Sequence, residues 1–130
     1  MKVQAKAKYL KISAQKLRLA ADLVRDMDVV TAESLLANTN KKAAGLVNDA
    51  LKSAVANAEN NLNLSRKKLM IDEIRVDEGP KLKRFRPRAR GSASRIEHKM
   101  AHLTVILDDK PAAQATATAK QSVPTPKETK

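Results

Sequence analysis

The chain has 130 residues, a formal charge of +12 and no cysteine, which allows one domain with a modest core and excludes disulfides and thiolate metal sites. No apolar run reaches the roughly 18 residues of a membrane span, and MKVQAKAKYLKIS lacks the apolar block of a secretory signal, so a soluble protein inside the cell is expected. A charge this positive asks for a polyanion, most simply nucleic acid, and two rings, Tyr9 and Phe85, are too few for a grip built on base stacking.

Residues 2–9 alternate, with Val3, Ala5, Ala7 and Tyr9 on one side and Lys2, Gln4, Lys6 and Lys8 on the other. That pattern predicts a half-buried strand with a basic outer face. Ser13 suits a helix N-cap, and AQKLRLAADLVRD follows with Leu17, Ala20, Ala21 and Val24 on one face. A short second helix is expected over about 31–38, with Thr31 as its cap and Glu33 near its positive end. The third helix begins at an Asn40 cap and ends near Asn60–Asn61. Its stripe is Ala43, Leu46, Val47, Ala50, Leu51, Ala54, Val55 and Ala58, spaced by threes and fours. LMIDEIRVDEG, 69–79, reads as a strand whose parity changes near Asp72–Glu73, the mark of a bulge. RIEHKMAHLTVIL, 95–107, reads as its partner, with Ala101, Leu103, Val105 and Leu107 on one side. The two strands and the stretch between them form one long hairpin. From Pro111 onward only Val123 is an aliphatic larger than alanine, so 111–130 is expected to be a disordered tail.

The charge is segregated. Residues 1–21 carry six basic groups and no acid, 22–80 carry eight basic and ten acidic groups, and 81–99 carry eight basic groups and only Glu97. The candidate nucleic-acid contacts are therefore Lys6, Lys8, Lys11, Lys16 and Arg18 in the first segment. In the second they are Lys81, Lys83, Arg84, Arg86, Arg88, Arg90, Arg95 and Lys99. KLKRFRPRAR, 81–90, holds six of these. A solvated charged loop is the bland reading. Four arginines, which offer planar bidentate contacts to phosphate, and the stiffening Pro80 and Pro87 favour contact with nucleic acid.

Other constellations carry less. His98 and His102 have a helical ligand spacing but sit on a strand, about 13 Å apart, so no shared metal ion is expected. Asp77 and Glu78 are adjacent on a strand and point to opposite faces, so they read as the approach to a turn at Gly79–Pro80 rather than a catalytic pair. Ser13, Ser92 and Ser94 have no nucleophile motif, and Gly45 and Gly91 form no phosphate-cradling loop. No enzymatic activity, cofactor or metal is expected. A free-standing nucleic-acid binder or regulator is the alternative, and it would want a dimer interface or a groove-reading helix.

ISAQKLRLAADLVRD, NKKAAGLVNDALKSAVANAENN and VDEGPKLKRFRPRARG, followed by HLTVIL at 102–107, together resemble the bacterial large-subunit ribosomal protein L-twenty-two family over residues 1–110. Ser92 stands where that family usually has Lys or Arg, and Asp26 where glycine is common. The resemblance implies an α+β fold: a three-stranded antiparallel sheet packed by three helices, with an extended β-hairpin arm over about 79–97. It implies one RNA-binding domain over 1–110, acting in the cytoplasm as part of the ribosome. The implied partners are the large ribosomal RNA, neighbouring large-subunit proteins and the nascent polypeptide, with no membrane. Arg88, Ala89, Arg90, Gly91, Ser92 and Ala93 are implied to line the exit tunnel.

Overall fold

A computed structural model of the chain describes residues 1–109; the expected tail, 111–130, lies outside them. The elements are β1 (Lys2–Leu10), α1 (Ala14–Asp22), α2 (Val29–Asn38), α3 (Lys42–Leu62), β2 (Leu69–Pro87) and β3 (Ala93–Asp109), with short 3-10 turns at Arg66–Lys68 and Ala89–Gly91. The strands form one antiparallel sheet in the order β1-β3-β2. α3 lies over β1 and β3, α1 over β2 and β3, and α2 packs on α3. This is the expected α+β architecture.

The central strand explains the core. Ala101, Leu103, Val105 and Leu107 are all fully buried, because they alternate onto the face that the helices cover. α1 meets them with Leu17, Ala20 and Ala21, and α3 with Val47, Leu51, Ala54 and Val55. The alanines of α3 let its backbone approach the sheet closely. Its stripe differs from the expected one at one step: Ala44 is fully buried while Leu46 is only half-buried.

Boundaries moved where tertiary contacts overrode local signals. Tyr9 has φ 58 and a register shift separates Ala7 from Leu10. The parity therefore breaks before Tyr9, which faces out, 60 % exposed, instead of continuing the buried side. α1 stops at Asp22 rather than running on to Asp26, which takes φ 59 in the turn. That left-handed backbone is one glycine adopts freely and aspartate tolerates. α2 starts at Val29, two residues early, because Asp28 is tied to the sheet through a bridge to Met70, and the Ile71 amide donates to the Met27 carbonyl at 3.0 Å. Thr31 instead donates its hydroxyl to Asp28 Oδ2 at 3.2 Å. α3 begins after Lys41 rather than after an Asn40 cap, and Ser13, although at the cap position of α1, makes no side-chain cap bond. α3 passes through Asn60–Asn61 and ends at Asn63, whose φ of 52 turns the chain; asparagine tolerates that region. The Asn63 and Leu64 amides then donate back to the Glu59 and Ala58 carbonyls.

The expected bulge is present, as the register skips between Ile71 and Glu73. A second one corrects the reading of Gly79–Pro80 as a turn. β2 continues through them to Pro87, and the ladder shifts between the pairs Glu78↔Ala101 and Lys81↔Lys99. A Cβ at Gly79 would lie 3.1 Å from the Met100 carbonyl carbon, so a side chain there would press β3 outward by a few tenths of an ångström. Pro80 is tolerated because a bulge leaves it no rung to donate to.

Three ion pairs anchor the periphery. Lys2 Nζ lies 2.7 Å from Asp72 Oδ2, and this bond raises the lysine pKa. The terminal ammonium donates to Asp108 Oδ1 at 3.1 Å and lowers that carboxyl's pKa. A depressed carboxyl stabilises the fold above the ordinary carboxylate range and loses that effect as acid protonates it. The third pair, Arg66 with Glu33, clamps the 3-10 turn to α2. The Glu33 side chain is only 14 % exposed, and its Oε1 has no hydrogen-bond partner. Arg66→Ala should therefore cost about 1–3 kcal/mol by stranding a buried acceptor, and Arg66→Lys clearly less. Denaturant unfolding of the two variants beside the parent measures this.

Candidate nucleic-acid interface

Beyond the second bulge β2 and β3 leave the helices and form an arm. The pairs run Lys81↔Lys99, Leu82↔His98, Lys83↔Glu97, Arg84↔Ile96, Phe85↔Arg95, Arg86↔Ser94 and Pro87↔Ala93. Every side chain from Lys81 to Ala93 is exposed. Alternation places Lys81, Lys83, Arg95 and Lys99 on one face and Arg84 and Arg86 on the other, so both faces are cationic. Lys81 and Lys99 sit directly opposite each other, a repulsive arrangement in water. Among the described residues the arm's one ion pair joins Lys81 Nζ to Glu97 Oε2 at 3.9 Å. Among the described residues no carboxylate pairs with the remaining cations.

The tip spans Arg88 to Ser92. Arg90 and Gly91 take φ 57 and 71, and the Arg88 amide donates to the Ser92 carbonyl at 2.8 Å. The Ser92 hydroxyl donates to the Ala89 carbonyl at 3.0 Å, and Arg88 Nε donates to Ser94 Oγ at 3.1 Å. A serine at position 92 thus closes the turn where a basic residue would extend outward. Arg90 is left projecting from a backbone position that favours glycine.

The first basic segment does not form one surface. Lys6 lies opposite Thr104 on the open sheet face, away from the helices, and exposed Lys8 is further along the same strand. Lys11 and Lys16 instead line a cleft of about 680 Å³ at the base of the arm. Arg18 reaches the edge of β2, where its Nη2 donates to the Val76 carbonyl at 3.2 Å, so it is partly a structural tether. The sheet stands between these groups, and a count along the sequence could not see it.

The cleft gathers Lys11, Lys16, Lys42 and Lys99 with one acid, Glu97, beside the apolar Ile12, Leu82 and Met100. Lys42 was missed by charge counting because it belongs to the stretch 22–80, where acids outnumber bases. Only the packing of the α3 start beside the arm reveals it. The two histidines have separate surroundings: His98 lines this cleft, while His102 Nδ1 accepts the Tyr9 amide at 3.0 Å.

Residues 5–108 match the family described as ribosomal protein L22p/L17e. The chain belongs to that family. It is 50 % identical over 107 residues to the large ribosomal subunit protein uL22 of Pediococcus pentosaceus, covering 82 % of this chain and 91 % of the relative. It is 47 % identical over 110 residues to the uL22 of Syntrophus aciditrophicus, covering 85 % and 100 %. With the uL22 of Akkermansia muciniphila it shares 49 % over 109 residues, covering 84 % and 97 %. The match takes in the whole arm and the cleft at its base, so the basic architecture described above belongs to the family's own portion of the chain.

Proposed function

We propose that residues 1–110 act as one RNA-binding domain that joins the large ribosomal RNA during assembly, with the arm at 79–97 as its principal contact. The chain is a structural constituent of the large ribosomal subunit, with ribosomal RNA and neighbouring subunit proteins as its partners and the ribosome in the cytoplasm as its setting. Its class is structural, not enzymatic. The observation that carries the RNA reading is an exposed, self-repelling hairpin with cations on both faces and one acid. A rod of this kind is stable against phosphate on either side, and nine residues per strand give it about 30 Å of reach.

The RNA contacts on the arm are Lys81, Lys83, Arg84, Arg86, Arg88, Arg90, Arg95 and Lys99. Those on the body are Lys6, Lys8, Lys11, Lys16 and Arg18, now joined by Lys42. The tip, Arg88 to Ala93, lines the nascent-peptide exit tunnel, and the nascent chain is its third partner. Support for this lies in the shape: the tip is the part farthest from the core, and its small residues Ala89, Gly91, Ser92 and Ala93 leave a narrow profile.

Sucrose-gradient sedimentation of a cell lysate tests the assignment. The protein should travel with large subunits after a moderate salt wash; sedimentation at the top of the gradient would contradict it. The cleft has its own prediction. Lys11, Lys16, Lys42 and Lys99 changed together to alanine should lower the salt dependence of ribosomal RNA binding by about 3–3.5 units, at roughly 0.7–0.9 for each phosphate. Binding measured between low and physiological salt gives this slope.

A further inference from the structure

Phe85 projects from the middle of the arm with 75 % of its surface exposed. The other ring, Tyr9, is engaged: it meets His102 edge to face, with centroids 4.9 Å apart and planes at 87°. No aromatic partner stands beside Phe85 among the described residues. A single exposed apolar side chain is common on protein surfaces; what sets this one apart is the ring of cations around it.

Its surroundings indicate what it contacts. Arg95 faces it directly across the ladder, Arg84 and Arg86 flank it along the strand, and Lys83 shares its face. Beside the ring lies a shallow depression of about 350 Å³, lined by Lys83, Arg84, Ala93 and Arg95. The arm's single acid, Glu97, is already turned toward Lys81. An apolar protein segment would satisfy the ring and leave the cations bare. Phosphate alone would satisfy the cations and leave the ring bare. A nucleotide does both, since it offers a flat apolar face with an anion on each side.

We propose that Phe85 is a stacking platform for one unpaired base of the large ribosomal RNA, with Lys83 and Arg95 holding the flanking phosphates. This rests on the reading of the arm as RNA-binding. It adds a base contact, independent of salt, to a grip that is otherwise electrostatic.

The chain has no tryptophan, so Phe85→Trp introduces a single indole reporter at an exposed site. The full chain carrying it is titrated with deproteinised large-subunit RNA, and with a fully paired RNA duplex as control. The indole emission should be quenched by the ribosomal RNA and little changed by the duplex. Phe85→Ala should weaken binding roughly 5- to 150-fold, the range for one stacked base, with its salt slope unchanged. Phe85→Leu, which keeps apolar area but has no ring face, should not restore it, whereas Phe85→Trp should. Parent-like binding by the alanine or leucine variant, or unquenched indole at saturating RNA, would overturn the stacking proposal while leaving the electrostatic reading in place. Failure of the parent itself to bind the RNA would overturn both. Equal melting temperatures confirm that the variants remain folded.

Discussion

Changing Lys83, Arg84, Arg86, Arg88 and Arg90 together to alanine is expected to reduce the salt dependence of ribosomal RNA binding by about 3.5–4.5 units, at roughly 0.7–0.9 for each lost phosphate contact. All five side chains are exposed and none has a carboxylate partner among the described residues. Lys81 is left out because Glu97 lies 3.9 Å from it and already takes part of its charge. The melting temperature should hold or rise slightly, since the core ends at the second bulge and the change relieves repulsion. A parent-like slope would mean that the arm does not face phosphate.

Deleting Leu82, Lys83 and Arg84 is expected to leave the body folded and to displace the tip. The three are exposed and pair only with His98, Glu97 and Ile96. Their loss shortens one side of the hairpin by about 10 Å, at 3.3 Å per residue. Three is an odd number. Re-pairing Phe85 onward in the place of Leu82 therefore exchanges the faces of every following residue and leaves three residues of β3 to enlarge the tip. Arg88 to Ala93 then cannot keep their positions. In cells carrying this deletion as their sole copy, macrolide inhibition or nascent-chain stalling should change, as follows from the proposal that the tip lines the exit tunnel. Unchanged drug response and unchanged stalling would show that the length of the basic strand does not position the tip.

The elements were legible where one periodicity dominated. The stripe of α3 and the alternation of Leu103, Val105 and Leu107 identify their buried faces directly, and the parity change at Asp72–Glu73 identifies the first bulge. Boundaries were less legible because long-range contacts set them. Asp28 begins a helix because Met70 holds it, and Tyr9 leaves the buried face because its amide bonds to His102. Gly79–Pro80 has the composition of a turn. It is a bulge because β3 continues on the other side, far away in sequence. The arm was legible as a charge cluster, since its residues are contiguous. The cleft was not: Lys11, Lys16, Lys42 and Lys99 come from separate segments, and Lys42 belongs to the stretch 22–80, whose ten acids outnumber its eight bases. The exposure of Phe85 was equally hidden, because an aromatic within a strand is more often core than surface.

The central claim is that the arm is embedded in large-subunit RNA. A density map of large subunits isolated with this chain in place tests it most directly. The account predicts an ordered hairpin over 79–97, with phosphates against Lys83 and Arg95 on one face and Arg84 and Arg86 on the other, and with Arg88 to Ala93 at the tunnel lumen. An arm lying on the outer surface of the subunit, or meeting only protein, would contradict it.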